Sequence, residues 1–173
     1  DNSLYSLDIT DYHRLQQTFQ EVRPDVVVLL AAIADVNTAE MGQTNATRVN
    51  VEGARQVARL CTLHKARLIF LSSEYVFRGD RGNYKEDDEP DPNTHYGRTK
   101  WQAELAVADE ASRWSIIRTS VVYGWPITGR RNLATVILDR LKSGETYRGD
   151  TGTYLTPIYV EHLTGGIMQL VKN

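Results

Sequence analysis

Cysteine is almost missing from these 173 residues: there is one, Cys61, so no disulfide can form within the chain. It lies in an apolar helical pattern, where a free cysteine acts as a small core residue. No apolar run reaches the ~20 residues that a membrane-crossing helix needs, and the amino terminus shows no signal-peptide pattern. Charge of one sign is missing too. Twenty Lys and Arg against 22 Asp and Glu leave a net charge of −2, which gives neither nucleic acid nor an anionic membrane surface an electrostatic handle. There are no internal repeats, no low-complexity stretches and no metal-ligand spacing. The acidic run Glu86-Asp87-Asp88-Glu89 reads as a solvated loop. The 12 glycines include no Gly-x-Gly-x-x-Gly or Gly-x-x-Gly-x-x-Gly. What is present, 41% hydrophobic and 24% charged residues, is ordinary for one globular domain spanning residues 1–173, in a reducing cytoplasmic setting.

Periodicity orders the chain. Tyr12, Leu15, Phe19 and Val22 recur at helical spacing behind Asp11, a suitable N-cap, and Pro24-Asp25 stops that helix. Val26 to Ala32 is a continuous, β-branched apolar run, the pattern of a parallel strand buried on both faces. A helix is expected over 44–64, a second buried strand at Leu68-Ile69-Phe70-Leu71, and a polar loop over 78–93. A helix from Tyr96 to about Ala111 follows, then a third strand from Trp114 to Thr119 that ends in Val121-Val122-Tyr123-Gly124. Further helices are expected at Leu133–Lys142, closed by Gly144, and at Val160–Val171. Strands alternating with helices predict an α/β fold with a parallel sheet, in which ligands bind beyond the carboxyl ends of the strands. Ala31-Ala32-Ile33, Ser72-Ser73-Glu74 and Arg118-Thr119-Ser120 lie at those ends.

Tyr96 and Lys100 are four residues apart, so on a helix they share a face. A free phenol has a pKa near ~10. A neighbouring ammonium group would lower it and make the phenol usable for general acid–base work. The same spacing also describes any solvated helix face. Ser73, at the end of the preceding strand, opens onto the same crevice. A hydroxyl beside an activated phenol suits carbonyl reduction: Ser73 would hydrogen-bond the carbonyl oxygen and Tyr96 would protonate it. The hydride has to come from a cofactor, since no side chain supplies one.

Leu71-Ser72-Ser73-Glu74-Tyr75-Val76-Phe77-Arg78-Gly79, Tyr84-Lys85-Glu86, Pro90 and Tyr96-Gly97-Arg98-Thr99-Lys100 together resemble the extended short-chain dehydrogenases/reductases. They are most similar to the dTDP-4-dehydrorhamnose reductase branch. Asp8-Ile9-Thr10-Asp11, Pro24-Asp25-Val26-Val27, Ala31-Ala32, Val49-Asn50-Val51-Glu52-Gly53-Ala54 and Arg118 to Gly124 extend the resemblance over nearly the whole chain, in the family's order. The resemblance implies a Rossmann-type doubly wound parallel sheet, with part of the substrate-binding region in 125–160. It implies Ser73, Tyr96 and Lys100 as the catalytic set, and NADP or NAD as cofactor. Cofactor contacts would come from Asp8, Ile9, Ala31, Ala32, Ile33, Ser72, Tyr96, Lys100 and Val121. Ser73, Glu74 and Tyr96 would meet a nucleotide-sugar substrate.

The expected reaction is NAD(P)H-dependent reduction of the 4-keto group of a nucleotide-activated deoxysugar. Two alternatives stay open: a sugar-nucleotide epimerase or dehydratase using the same residues, and a non-catalytic NADP-binding subunit resembling the β subunit of methionine adenosyltransferase. A homodimer is compatible with all three. Two departures stand out. Glu74 occupies a place where the family usually has Asp. The glycine-rich turn that binds the pyrophosphate in the family is absent, which places it ahead of Asp1, and the family's carboxy-terminal portion is expected beyond Asn173. The 173 residues alone are therefore expected to bind no dinucleotide.

Overall fold

The computed structural model describes residues 6–126, 131–149, 152 and 154–173. They form two compact units, Asp1–Arg118 and Thr119–Asn173. In the first, helix α1 (Tyr12–Val22) starts at Asp11, whose side chain accepts a hydrogen bond from the Arg14 N–H, and buries Leu15 and Phe19. Strand β1 (Val26–Leu29) pairs in parallel with β2 (Arg67–Ser73), Val26 opposite Arg67 and Leu29 opposite Phe70. Strand β3 (Trp114–Thr119) completes a sheet ordered β1-β2-β3 among the described residues. The central strand is the most buried: Leu68, Ile69 and Phe70 are inaccessible or nearly so, as the apolar run predicts.

The strand expected to reach Ala32 ends at Leu29, so Ala31, Ala32 and Ile33 form an irregular segment beyond its carboxyl end. The helix expected over 44–64 begins earlier and is not uniform. Helix α2 (Val36–Met41) is capped by Asp35 and gives way at Gly42 to α3 (Gln43–Thr47). Residues Arg48–Gly53 are wound as a π-helix, and α4 (Ala54–Leu63) follows. Wider winding rotates every later side chain around the axis. Gly53, at the end of this segment, packs closely on Ile9: a Cβ there would lie 2.7 Å from the Ile9 side chain. Hydrophobic periodicity cannot register such a local change of pitch.

Helix α5 (His95–Glu110) carries the candidate residues. Its first turn is satisfied from two sides: the Thr94 hydroxyl accepts from the Gly97 N–H at 3.0 Å, and the Glu40 carboxylate accepts from the His95 N–H. Tyr96, Thr99, Lys100, Ala103, Glu104 and Val107 form its buried stripe. The core of this unit gathers Leu15, Phe19, Val57, Leu60, Cys61, Leu68, Phe70, Ala103 and Val107. Burial pushes the Cys61 thiol up to about 12, so it packs as an inert apolar group.

In the second unit Val122–Tyr123 do not prolong β3. They form a separate short strand, β4, parallel to β5 (Ile158–Tyr159). A two-residue strand is too short to leave a sequence period. Helices α6 (Leu133–Lys142) and α7 (Val160–Lys172) lie where the periodicity puts them. Asn132 caps α6 reciprocally with Thr135, and its side-chain amide donates to the Gly124 carbonyl at 2.6 Å. The 125–160 segment, to which the resemblance assigns part of a substrate-binding region, includes residues 127–130, 150, 151 and 153, which lie outside the described residues. No helix among the described residues is long and apolar enough to cross a membrane.

Candidate active site

Strand β2 ends in Ser72 and Ser73, and the chain then turns through a single 3-10 turn, Glu74–Val76. Ser73 caps that turn, its Oγ accepting from the Tyr75 N–H at 3.3 Å. The Tyr96 phenol lies close enough to that hydroxyl for Ser73 to act on its acidity. Strand end and helix start are thus brought together as the topology requires. Gly97 permits the approach: a Cβ at that position would run into the Tyr75 carbonyl oxygen and touch Pro92. Tyr75 meets the Tyr96 ring edge-on, with centroids 5.6 Å apart. Ala39 of α2, Ala46 of α3, Ile33 and Val36 pack around that ring.

Lys100 is 3% exposed. Its Nζ does not reach the phenol as the i,i+4 spacing suggests. It donates to the Leu71 carbonyl of β2 at 2.7 Å and sits 4.1 Å above the centre of the Phe70 ring. The consequence for acidity reverses the sequence expectation. Tyr96 is held above its ordinary phenol value, chiefly by burial, with Ser73 acting the other way. Lys100 is pulled down to about 8 by burial, opposed by the Glu104 carboxylate. At neutral pH the site therefore holds a protonated phenol above a charged lysine.

The Ser72 hydroxyl is buried with no hydrogen-bond partner among the described residues. Lys100 uses one of its three donors on Leu71. An unpaired hydroxyl and spare ammonium donors, at the carboxyl end of a parallel strand, fit the ribose hydroxyls of a dinucleotide. Ala32 and Ile33 are half-buried and Ala31 is exposed at the end of β1, where small side chains let a ligand approach the backbone. Glu74 is half-buried in the turn beside Ser73.

Three further expected contacts, Asp8, Ile9 and Val121, have neighbours of their own. The Asp8 carboxylate accepts from both the Thr10 N–H and the Thr10 hydroxyl at 2.8 Å, which holds its pKa below the usual carboxylate value. The Ile9 side chain is in the core against Gly53. Val121 belongs to the second unit, where its carbonyl accepts from the Ile158 N–H at 2.9 Å. Among the described residues no group of three His, Cys, Asp or Glu side chains is placed to hold a metal ion. Within the acidic loop, Asp88 accepts from the Lys85 N–H and pairs with Arg81.

These features invite comparison with known proteins. A model of the RmlD substrate binding domain family matches residues 2–173. The chain belongs to this family. The dTDP-4-dehydrorhamnose reductase of Streptomyces griseus is 42% identical over 120 residues, 68% of this chain and 40% of that protein. Methionine adenosyltransferase 2 subunit beta of Xenopus tropicalis is 28% identical over 167 residues, 96% of this chain and 50% of that one. A solved dTDP-4-dehydrorhamnose reductase from Bacillus anthracis str. Ames, in complex with NADP, superposes with a TM-score of 0.85 at 32% identity, covering 96% of this chain and 59% of that one. The chain spans about half the length of the curated relatives it matches. Its Rossmann-type α/β architecture is that of the family's solved structures.

Within this RmlD-family frame the structure adds a residue that spacing alone does not single out. Asn50, in the π-wound segment, is buried. Its amide oxygen accepts from the Ile33 N–H at 2.7 Å, and its nitrogen donates to the Ile33 carbonyl at 3.1 Å and to the Thr99 hydroxyl at 2.9 Å. One side chain thereby fixes the segment after β1 to the turn of α5 between Tyr96 and Lys100. The motif Val49-Asn50-Val51-Glu52-Gly53-Ala54 contains it, but only the π winding reveals which way the amide points.

Proposed function

We propose that this chain carries the proton-transfer half of an NAD(P)H-dependent reductase acting on the 4-keto group of a nucleotide-activated deoxysugar. The carrying observation is the buried Tyr96 phenol beside the buried Ser73 at the carboxyl end of β2, with the buried Lys100 one helical turn on and bonded to the Leu71 carbonyl. Similarity to reductases named for dTDP-4-keto sugars, one of them solved with NADP, supports the substrate class and the cofactor. A nicotinamide cofactor, when bound, would supply the hydride. Lys100 and Ser72 are the residues of this unit suited to hold its ribose.

As hydride reaches the carbonyl carbon, negative charge grows on the ketone oxygen. Ser73 donates a hydrogen bond to that oxygen, and Tyr96 transfers its phenolic proton to it. An alkoxide is far more basic than a phenolate, so a Tyr96 pKa above the ordinary value is no obstacle in this direction; it guarantees that the proton is present. Lys100 stabilises the phenolate left behind through the low-dielectric interior. Similarity to relatives named as reductases favours this reading over an epimerase or dehydratase.

The test is NADPH consumption by the full-length protein with a dTDP-4-keto-6-deoxysugar. Tyr96→Phe keeps the ring that packs against Ala39 and Ala46 and should lower kcat/KM by roughly 10²–10⁴-fold. Wild-type turnover in that variant would end the role given to Tyr96, and turnover without net NADPH consumption would point to an epimerase. A second reading rests on the similarity to the methionine adenosyltransferase subunit: a non-catalytic subunit role. A stably co-purifying partner together with no turnover on any keto-sugar nucleotide would favour it.

A further inference from the structure

One turn beyond Lys100 on the same face of α5 lies Glu104, a carboxylate only 3% exposed. A buried carboxylate needs partners, and Arg118 of β3 supplies them as a fork: Nε donates to Oε1 at 3.0 Å and to Oε2 at 3.2 Å, and Nη2 donates to Oε2 at 2.7 Å. The remaining nitrogen, Nη1, donates to the Glu86 carbonyl at 3.1 Å, and the guanidinium lies 5.0 Å from the centre of the Phe77 ring. Phe77 in turn stacks on Tyr84 at 4.4 Å. Arg118 therefore cannot swing away from Glu104 without breaking contacts to the 78–93 loop.

The surroundings of Lys100 single out the Glu104 charge. From β2 the ammonium meets the Leu71 carbonyl and the Phe70 ring; along its own helix the buried Tyr96 stands one turn before Lys100 and the buried Glu104 one turn after it. Arg55 and Arg59 of α4 are engaged by Glu110 at the far end of α5. Glu40 caps the helix at His95, and Arg48 donates to Thr10 and Asn45. Glu52 pairs with Arg55, while Glu74 and Tyr75 sit on the turn beside Ser73. Glu104 is the charge that acts on Lys100, against the desolvation that otherwise strips its proton.

We propose that Glu104, held by Arg118, is a positioning residue that keeps Lys100 charged beneath Tyr96 and so sets the upper pH limit of proton transfer. The inference rests on the reductase reading for its consequence in catalysis, but not for its physical content. Replacing the carboxylate by an amide leaves the shape and removes the charge, so Lys100 must lose its proton at lower pH.

The experiment uses the full-length protein with ¹³Cε-labelled lysine, the Lys100 resonance being assigned by its loss in Lys100→Met. In Glu104→Gln its titration midpoint should fall by about half a pH unit or more. The alkaline limb of kcat/KM should move down with it. Glu104→Asp, which keeps the charge, should return both toward wild type. An unmoved midpoint in Glu104→Gln overturns the proposal, and so does a uniform activity loss in both variants with no displacement of the limb. Should Glu104→Gln fail to fold, Arg118→Gln serves: with its other cation gone, Glu104 acts on Lys100 alone and the midpoint should rise, while one that stays or falls overturns the proposal. Because the titration needs no turnover, a displaced midpoint in a protein inactive on keto-sugar nucleotides would sink the reductase reading and leave this one standing.

Discussion

At the scale of single residues, burying Lys100 costs stability, a cost that its proposed role would account for. Folding lowers its pKa from 10.5 to about 8, so the unfolded chain binds the proton more tightly than the folded one. Between those values stability rises with pH, and below about 8 the full penalty stands, on the order of 3 kcal/mol. Lys100→Met keeps the apolar stem and removes the charge. It should raise the urea midpoint at pH 7, flatten the gain in stability between pH 8 and 10.5, and abolish reduction of the keto sugar. Urea titrations at pH 7 and pH 9.5 check the first two effects. A variant less stable than wild type at pH 7 would mean that the bond to Leu71 and the Phe70 contact outweigh the desolvation. The three proposed catalytic side chains were readable from spacing and order because each occupies a strand end or a helix face. The direction of the Tyr96 shift was not, because it depends on how deeply α2 and α3 cover the ring, and a motif carries no burial.

At the scale of elements, the site depends on how closely the start of α5 approaches the turn after β2. Hydrophobic runs announce β2, α5, α6 and α7 because one face of each is buried, whereas the π winding over Arg48–Gly53 and the β4–β5 pair leave no period to detect. The close approach is also invisible as a pattern, although its enabling residue, Gly97, sits in plain view between Tyr96 and Arg98. A methyl group there meets backbone, the Tyr75 carbonyl, which cannot rotate aside. Gly97→Ala should therefore push α5 away from Ser73, destabilising the protein by roughly 1–3 kcal/mol as overpacking does. It should also cut kcat/KM by more than the stability loss explains, because a displacement of about 1 Å at a reacting group costs about 10²-fold. Activity measured well below the variant's melting temperature separates the two effects. A variant with an unchanged thermal midpoint and unchanged kcat/KM would show that the helix and turn are not held at contact distance.

At the scale of the whole chain, burial is distributed unevenly between the two units. Unit Asp1–Arg118 holds the contiguous core around Leu60, Leu68, Phe70 and Val107, together with the Asn50 and Glu104–Arg118 hydrogen bonds. Among the described residues of Thr119–Asn173, Thr135 and Ile167 are the buried ones, while Leu141, Tyr154 and Met168 are exposed. Local opening is easiest where few apolar contacts are lost, so amide protection should follow this division. Hydrogen exchange of the 173-residue chain, read by mass spectrometry, should find the slowest amides in β2, α4 and the middle of α5. Helices α6 and α7 should exchange faster by orders of magnitude, despite helical spans as regular as that of α4. Helix length alone would predict the opposite for α7, whose 13 residues exceed the 10 of α4. Equal protection in α4 and α7 would show that backbone hydrogen bonding, not the buried core, governs opening in this chain.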